Sequence, residues 1–152
     1  MSKNFYIATD HAGYALKAYV KDFVSQLGHN IVDLGPHSAD RVDYPDFAKK
    51  CTDAVLKDNG SFGILICGTG IGISIAANKV PGIRAALCHD SYTAKLTRLH
   101  NDANILCFGE RVVGKGVIEE MISTFIATEF EGGRHATRVA KIEDCSFGKD
   151  LE

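Results

Sequence analysis

The sequence contains no apolar run long enough to span a membrane and no N-terminal pattern typical of a signal peptide. Its five cysteines are odd in number and scattered, and no two of them have C-x-x-C spacing. This argues against a disulfide framework and a zinc site, and it favours reduced thiols. A net charge of −2 gives no global field that would attract nucleic acid. We therefore expect a cytoplasmic protein that binds neither membranes nor nucleic acid.

Apolar runs alternate with amphipathic segments along the whole chain of 152 residues, with no repeat and no internal linker. Short apolar runs predict strands at residues 5–8, 31–34, 63–67, 84–88 and 104–108. Helical patterns cover residues 14–27, 45–56, a short stretch ending at 79, 91–99, 116–130 and 136–142. Strands that alternate with helices predict one α/β domain over residues 1–152. We expect a three-layer, Rossmann-like αβα fold with a five-stranded parallel sheet and a C-terminal helical extension.

The run Cys67-Gly68-Thr69-Gly70-Ile71-Gly72 is the most informative motif, because it joins a predicted strand to a predicted helix. Such a turn presents unpaired backbone N–H groups at the positive end of a helix dipole, where they can hold a phosphate or a carbonyl oxyanion. The same field favours a thiolate at Cys67, which could act as a base or a nucleophile. The spacing is neither G-x-G-x-x-G nor a P-loop. A tight turn over a packed cysteine is the alternative interpretation.

Other polar residues also follow predicted strands, where open α/β sheets bind their ligands. Asp10-His11 follows the first strand, and Arg111 comes shortly after the fifth. Asp10 could contact a ligand or cap the following helix, and we favour ligand contact for His11. His100 ends the helix before the fifth strand, where a cation would simply complement the helix dipole.

The segment Gly132-Gly133-Arg134-His135-Ala136-Thr137-Arg138 is the strongest basic cluster. Arg134 and Arg138 are four residues apart, so on a helix they share a face and could clamp a phosphate. The alternative is that they pair with surface carboxylates such as Glu131 or Glu143.

Taken together, these motifs resemble the ribose-5-phosphate isomerase B family, which also includes allose- and galactose-6-phosphate isomerases. The resemblance covers nearly the whole chain in order. The matching segments are Asp10–Gly13, Asp43–Pro45, Ile66–Lys79, Gly82–Ala85, His100–Asn104, Phe108–Gly114 and Glu131–His135. One branch of the family has serine at the position of Cys67 and a catalytic glutamate at that of Ile73. This chain resembles the branch that uses cysteine.

The resemblance implies an aldose–ketose isomerase that interconverts ribose 5-phosphate and ribulose 5-phosphate through an enediolate, in the non-oxidative branch of the pentose phosphate pathway. It implies that Cys67 is the base, that Thr69 orients the substrate or the thiol, and that His100 opens the sugar ring. Loop residues Gly68, Gly70, Ile71 and Gly72 would stabilise the enediolate through their amides. Asp10 and Asn101 would contact sugar hydroxyls, and Tyr44 would close on the sugar. The phosphate would be bound by His11, Arg111, Arg134 and Arg138.

The resemblance implies no cofactor and no metal. It implies a homodimer, with a tetramer as the alternative, whose active site is shared across the interface, so that residues from about 132 to 152 pack on the partner. Two other functions stay open from the residues: an isomerase of allose or galactose 6-phosphate, and a non-catalytic module that binds a phosphate ligand. A redox switch is a weaker alternative, because no second cysteine lies near Cys67 in the sequence.

Overall fold

A parallel five-stranded sheet forms the centre of the computed structural model, which describes residues 1–144. In spatial order the strands are β2 (Asn30–Asp33), β1 (Asn4–Thr9), β3 (Phe62–Cys67), β5 (Ile105–Gly109) and β4 (Ala85–Leu87). The helices are α1 (Tyr14–Gln26), α2 (Tyr44–Lys57), α3 (Ile71–Asn78), α4 (Ser91–Asn101), α5 (Lys115–Ala127) and α6 (Arg134–Glu143). The predicted three-layer, Rossmann-like fold with its parallel sheet is confirmed.

Two apolar cores cover the two faces of the sheet. Residues alternate along each strand, so Ile64 and Ile66 of β3 face one core while Leu65 and Cys67 face the other. Helices α1, α4 and α5 supply the first core, and α2 and α3 supply the second. All six residues of β3 are buried, as expected for the central strand of a covered parallel sheet.

The helix boundaries differ from the prediction mainly after α5, which ends at Ala127 and not near residue 130. Thr128 has extended backbone angles, and its hydroxyl donates to the Thr124 carbonyl at 2.7 Å. The next residues run toward α4, where the Glu131 N–H donates to the Leu99 carbonyl at 3.1 Å. This long-range hydrogen bond explains why the helical pattern stops early.

The predicted C-terminal helix is present as α6, and it contacts α4 of the same chain. The rest of the segment expected to face a partner, residues 145–152, lies outside the described residues. Within residues 1–144, no helix has both the length and the apolar character of a membrane span.

Candidate active site

The Cys67 loop lies where the order of the strands reverses. From β1 the chain moves to the edge strand β2, and then crosses back to add β3 on the other side of β1. Sheets of this class bind ligands in the crevice at the carboxyl ends of the two strands that flank such a reversal. Asp10 follows β1 directly and Cys67 ends β3, so both border this crevice. Two of the residues predicted to act at strand ends thus lie at the same edge of the sheet.

The loop turns sharply at Gly70, which has a φ of 79° that favours glycine. This conformation directs the Gly70 N–H to the Cys67 sulfur at 3.2 Å. The Thr69 hydroxyl accepts a hydrogen bond from the Ile71 N–H at 3.2 Å, where α3 begins. Cys67 is 5% exposed, so it is almost fully buried. The Gly70 N–H is therefore directed at the thiol, whereas the Ile71 N–H, expected to bind the enediolate, is directed at the Thr69 hydroxyl.

The segment after β5 holds the other side of this loop. The Glu110 N–H donates to the Cys67 carbonyl at 3.0 Å, and the Arg111 N–H donates to the Gly68 carbonyl at 3.1 Å. The Arg111 guanidinium lies directly over Gly68, because a Cβ on that glycine would be only 3.0 Å from Nη1. A positive charge thus lies beside the glycine loop, as its predicted role in phosphate binding requires.

Asp10 closes the turn that leads into α1. One carboxylate oxygen accepts from the N–H groups of Ala12 and Gly13 at 2.9 and 3.1 Å. The N-cap of α1 is Gly13, so Asp10 stabilises the preceding turn and does not cap the helix itself. The Asp10 N–H also donates to the Ile66 carbonyl at 3.2 Å, which connects this turn to β3.

His11 and Tyr44 reach the same edge from two further segments. His11 Nδ1 lies 3.3 Å from both the nitrogen and the carbonyl oxygen of Val42, so the ring contacts the backbone of that residue. Tyr44 begins α2, and its ring lies against α3, since a Cβ on Gly72 would be 2.6 Å from the tyrosine Cζ. Tyr44 is 39% exposed, so its ring is partly open to solvent beside the first turn of α3.

The four remaining predicted residues lie at the other end of the sheet. His100 and Asn101 end α4, just before β5 begins at Ile105, and Arg134 and Arg138 lie on α6 beside α4. Gly63 of β3 pairs with Ile105, whereas Cys67 pairs with Gly109. These two ends are four residue steps apart along the strands, roughly 13 Å. One chain therefore does not bring His100, Asn101, Arg134 or Arg138 together with Cys67.

His100 has close neighbours that the sequence-based reasoning missed, His135 and Glu131. The two imidazole rings stack with centroids 4.2 Å apart and an angle of 14° between their planes. Glu131 Oε2 is 3.9 Å from Nε2 of each histidine. Burial, and then the positive charge of Arg134 and His100, lower the pKa of His135, which favours its neutral form. The Gly-Gly-Arg-His motif contains His135 and could have indicated it, but only the arginines of this segment were assigned roles from the sequence.

The arginines of α6 share one face, as predicted from their spacing. Arg134 lies 4.0 Å from Glu131, so part of the predicted surface pairing is present. Glu143 instead pairs with Arg84, at 2.5 Å. Among residues 1–144 no carboxylate forms an ion pair with Arg138, which is exposed. Arg138 therefore remains available to an anionic ligand.

The other described cysteines are suppressed as nucleophiles by their surroundings. Burial raises the pKa of Cys51 to about 12 and that of Cys88 to about 11. Burial, with the neighbouring thiols, also raises the pKa of Cys107 well above the ordinary value. Cys145, the fifth cysteine, lies outside the described residues. Of the four described cysteines, Cys67 is the one whose sulfur accepts a backbone N–H in the glycine loop.

Comparisons with known proteins give a consistent result. Residues 5–142 match the family model described as Ribose/Galactose Isomerase. The chain is 44% identical over 140 residues to ribose-5-phosphate isomerase B of Escherichia coli, covering 92% of this chain and 94% of the relative. Among solved structures, it resembles ribose-5-phosphate isomerase B of Clostridium thermocellum, with a TM-score of 0.91, 51% identity, and coverage of 98% and 99%. The Trypanosoma brucei type B enzyme gives a TM-score of 0.90 and 48% identity, with coverage of 94% and 98%.

Proposed function

The chain belongs to the ribose/galactose isomerase family, and from this premise we propose that it interconverts ribose 5-phosphate and ribulose 5-phosphate by proton transfer. The observation that carries the proposal is the buried Cys67 sulfur, 3.2 Å from the Gly70 nitrogen at the start of a glycine loop. A proton next to a carbonyl is weakly acidic, so its removal needs a base on one side and oxyanion donors on the other. The loop offers both.

In the proposed reaction the Cys67 thiolate removes the proton from C2 of the open-chain aldose. The electron pair of the broken C–H bond forms the C1–C2 double bond, and the carbonyl oxygen becomes an enediolate oxyanion. The N–H groups of Gly72 and Ile73 are in the first turn of α3 and have no intrahelical acceptor, so they are suited to bind this oxyanion. The thiol then returns the proton to C1, while a proton moves between the two oxygens, to give the ketose.

We propose that two chains complete each site. His100, Asn101, Arg134 and Arg138 lie roughly one strand length from the Cys67 of their own chain. Helix α3 begins at the glycine loop and carries two large apolar residues that are half exposed, Ile71 (49%) and Ile75 (55%). Burying this face against a second copy would bring another chain next to the Cys67 loop. The partner would then supply the histidine that opens the ring and the arginines that bind the phosphate.

The test is an assay of the purified chain with ribose 5-phosphate, allose 6-phosphate and galactose 6-phosphate, each with and without EDTA. We expect turnover of ribose 5-phosphate in both conditions, with solvent deuterium incorporated at C2 of recovered substrate. Cys67→Ala and Cys67→Ser should both lose on the order of 10² to 10⁴ in rate. The serine variant should not recover, because Ile73 occupies the position where the serine branch has glutamate. Cys88→Ala is the matched control, since it removes a buried thiol of high pKa directly after the edge strand β4.

Each outcome separates the candidate functions. Preferential turnover of a six-carbon phosphate would change the substrate but leave the mechanism in place. Binding of phosphosugars without turnover, and without any effect of Cys67→Ala, would indicate a non-catalytic phosphate-binding module. Retention of a near-normal kcat in Cys67→Ala would eliminate Cys67 as the base.

A further inference from the structure

Three metal-ligating side chains converge at the amino end of the sheet, away from the glycine loop. They are His100 in the last turn of α4, His135 in the first turn of α6, and Glu131 in the segment between α5 and α6. One ligand atom from each lies within 4.8 Å of the other two. The Glu131 N–H donates to the Leu99 carbonyl, which fixes the connecting segment beside His100. The three residues are therefore held together by the fold and not by sequence proximity alone.

The buried member of this group has an unused nitrogen. His135 is 4% exposed, and its Nε2 makes no hydrogen bond with any residue in the range 1–144. A buried polar atom without a partner is unfavourable, and native structures keep few of them. This nitrogen points toward the Glu131 carboxylate, 3.9 Å away, a distance too long for a hydrogen bond. The space between the two atoms is suited to a cation, which can accept a lone pair from each of them.

We infer that His100, Glu131 and His135 form a chelating site for a transition-metal cation of the Zn²⁺ type, and that occupation of the site inhibits the enzyme. Two imidazoles and one carboxylate are a ligand set that zinc takes, with its fourth position left to water or to a substrate oxygen. Chelation would consume the lone pair of His100, which the proposed function assigns to ring opening. The inhibition rests on that proposed function, whereas the binding does not.

The site can close around a cation through its two half-exposed members. Ligand atoms on a tetrahedral zinc are roughly 3.3–3.6 Å apart, given bonds of about 2.0–2.2 Å. The present separations of 3.9 to 4.8 Å must therefore shrink by about an ångström or less for most pairs. The side chains of His100 and Glu131 are 37% and 47% exposed and can move, while that of His135, at 5%, is fixed. The His100 ring, which stacks on His135, must also turn so that the lone pairs of the two histidines converge.

The surroundings make this binding reversible. Arg134 lies 4.0 Å from Glu131, so a metal ion would displace an existing ion pair. Arg134 and Arg138 are both close in sequence to His135, and their positive charge opposes a cation. These same charges attract a substrate phosphate, so substrate and metal should compete.

Direct binding of ZnCl₂, measured by calorimetry on the full chain, tests the site. The Cys67→Ala background is used, because the thiol of Cys67 would itself bind zinc. We expect one zinc per chain, and a Kd raised on the order of tenfold or more by Glu131→Gln and by His135→Gln. Glu131→Gln is the safer variant, because the residue is exposed and the change preserves its size. His89→Ala, at an exposed histidine after β4, is the matched control and should leave the Kd unchanged.

Cobalt(II) provides a second readout. In the same background it should give the d–d spectrum of a nitrogen and oxygen site, and that spectrum should be lost in Glu131→Gln. Activity adds a third: ZnCl₂ should inhibit the wild-type chain, EDTA should reverse the inhibition, and Glu131→Gln should require on the order of tenfold more zinc. Absence of zinc binding, or binding that neither variant weakens, would overturn the site. An inactive chain that still binds zinc at these residues would refute the proposed function and leave the site standing.

Discussion

Replacement of Gly109 by alanine tests whether the position of the Cys67 loop determines activity. Gly109 ends β5, and a Cβ built on it would lie 2.5 Å from the Thr69 carbonyl carbon and 2.6 Å from the Thr69 Cα and oxygen. Ordinary contact with a Cβ begins near 3.4 Å, so the loop must move by about 0.9 Å. All three atoms belong to the backbone, which means that no side-chain rotation can relieve the clash.

We expect Gly109→Ala to lose about 1–3 kcal/mol in the free energy of unfolding, the range typical of overpacking. Because a displacement of about 1 Å at a reacting group can lower a rate by about 10²-fold, kcat should fall by up to that factor. Urea denaturation and the ribose 5-phosphate assay measure the two effects.

Gly116→Ala is the matched control, because a Cβ there meets no atom within 4 Å and the position is helical. It should stabilise the chain by up to about 1 kcal/mol and leave kcat unchanged. Wild-type activity and stability in Gly109→Ala would refute the idea that the loop is held in place by this close approach.

Three further predictions follow from the site and its support. A small thiol-alkylating reagent should inactivate the enzyme with substrate protecting, and peptide mapping should place the adduct on Cys67 and not on one of the three described cysteines of raised pKa. His100→Ala should impair the cyclic aldose far more than an acyclic four-carbon phosphate such as erythrose 4-phosphate, and equal losses on both would refute a role in ring opening. Burial raises the pKa of Asp33, but hydrogen bonds from Lys17, the Gly35 N–H and Lys21 outweigh it and hold that pKa below 3.8. Asp33 therefore stabilises the fold fully above its unfolded pKa, and the difference in unfolding free energy between wild type and Asp33→Asn should shrink as the pH falls below 3.8.

The fold was predictable because its signals are local. Buried parallel strands such as β3 appear as short apolar runs, and each strand end carries its own turn residues. The end of α5 was not predictable in this way. Its apolar pattern continues to Phe130, but the hydrogen bond between Glu131 and Leu99 draws the chain out of the helix. That bond joins residues far apart in the sequence, so no local pattern records it.

The candidate site was predictable only in part. The glycine loop, Asp10 and His11 were identified because they follow predicted parallel strands, whose carboxyl ends share one edge of a sheet. The separation of His100 from Cys67 follows from the direction in which α4 runs, which becomes evident only once the sheet is assembled. The stacking of His100 on His135 was missed because it depends on how α6 packs against α4. Packing between helices is set by tertiary contacts, which a residue pattern does not encode.

The central claim is that Cys67 of one chain and His100 of another form each active site, and mixed dimers test it most directly. Cys67→Ala and His100→Ala chains carrying different affinity tags are expressed together, and the mixed dimer is purified through both tags. It should have one intact site of its two, so about half of the wild-type activity is expected, while each parent homodimer stays nearly inactive. A mixed dimer no more active than its parents would contradict the claim and place both residues in a site within one chain.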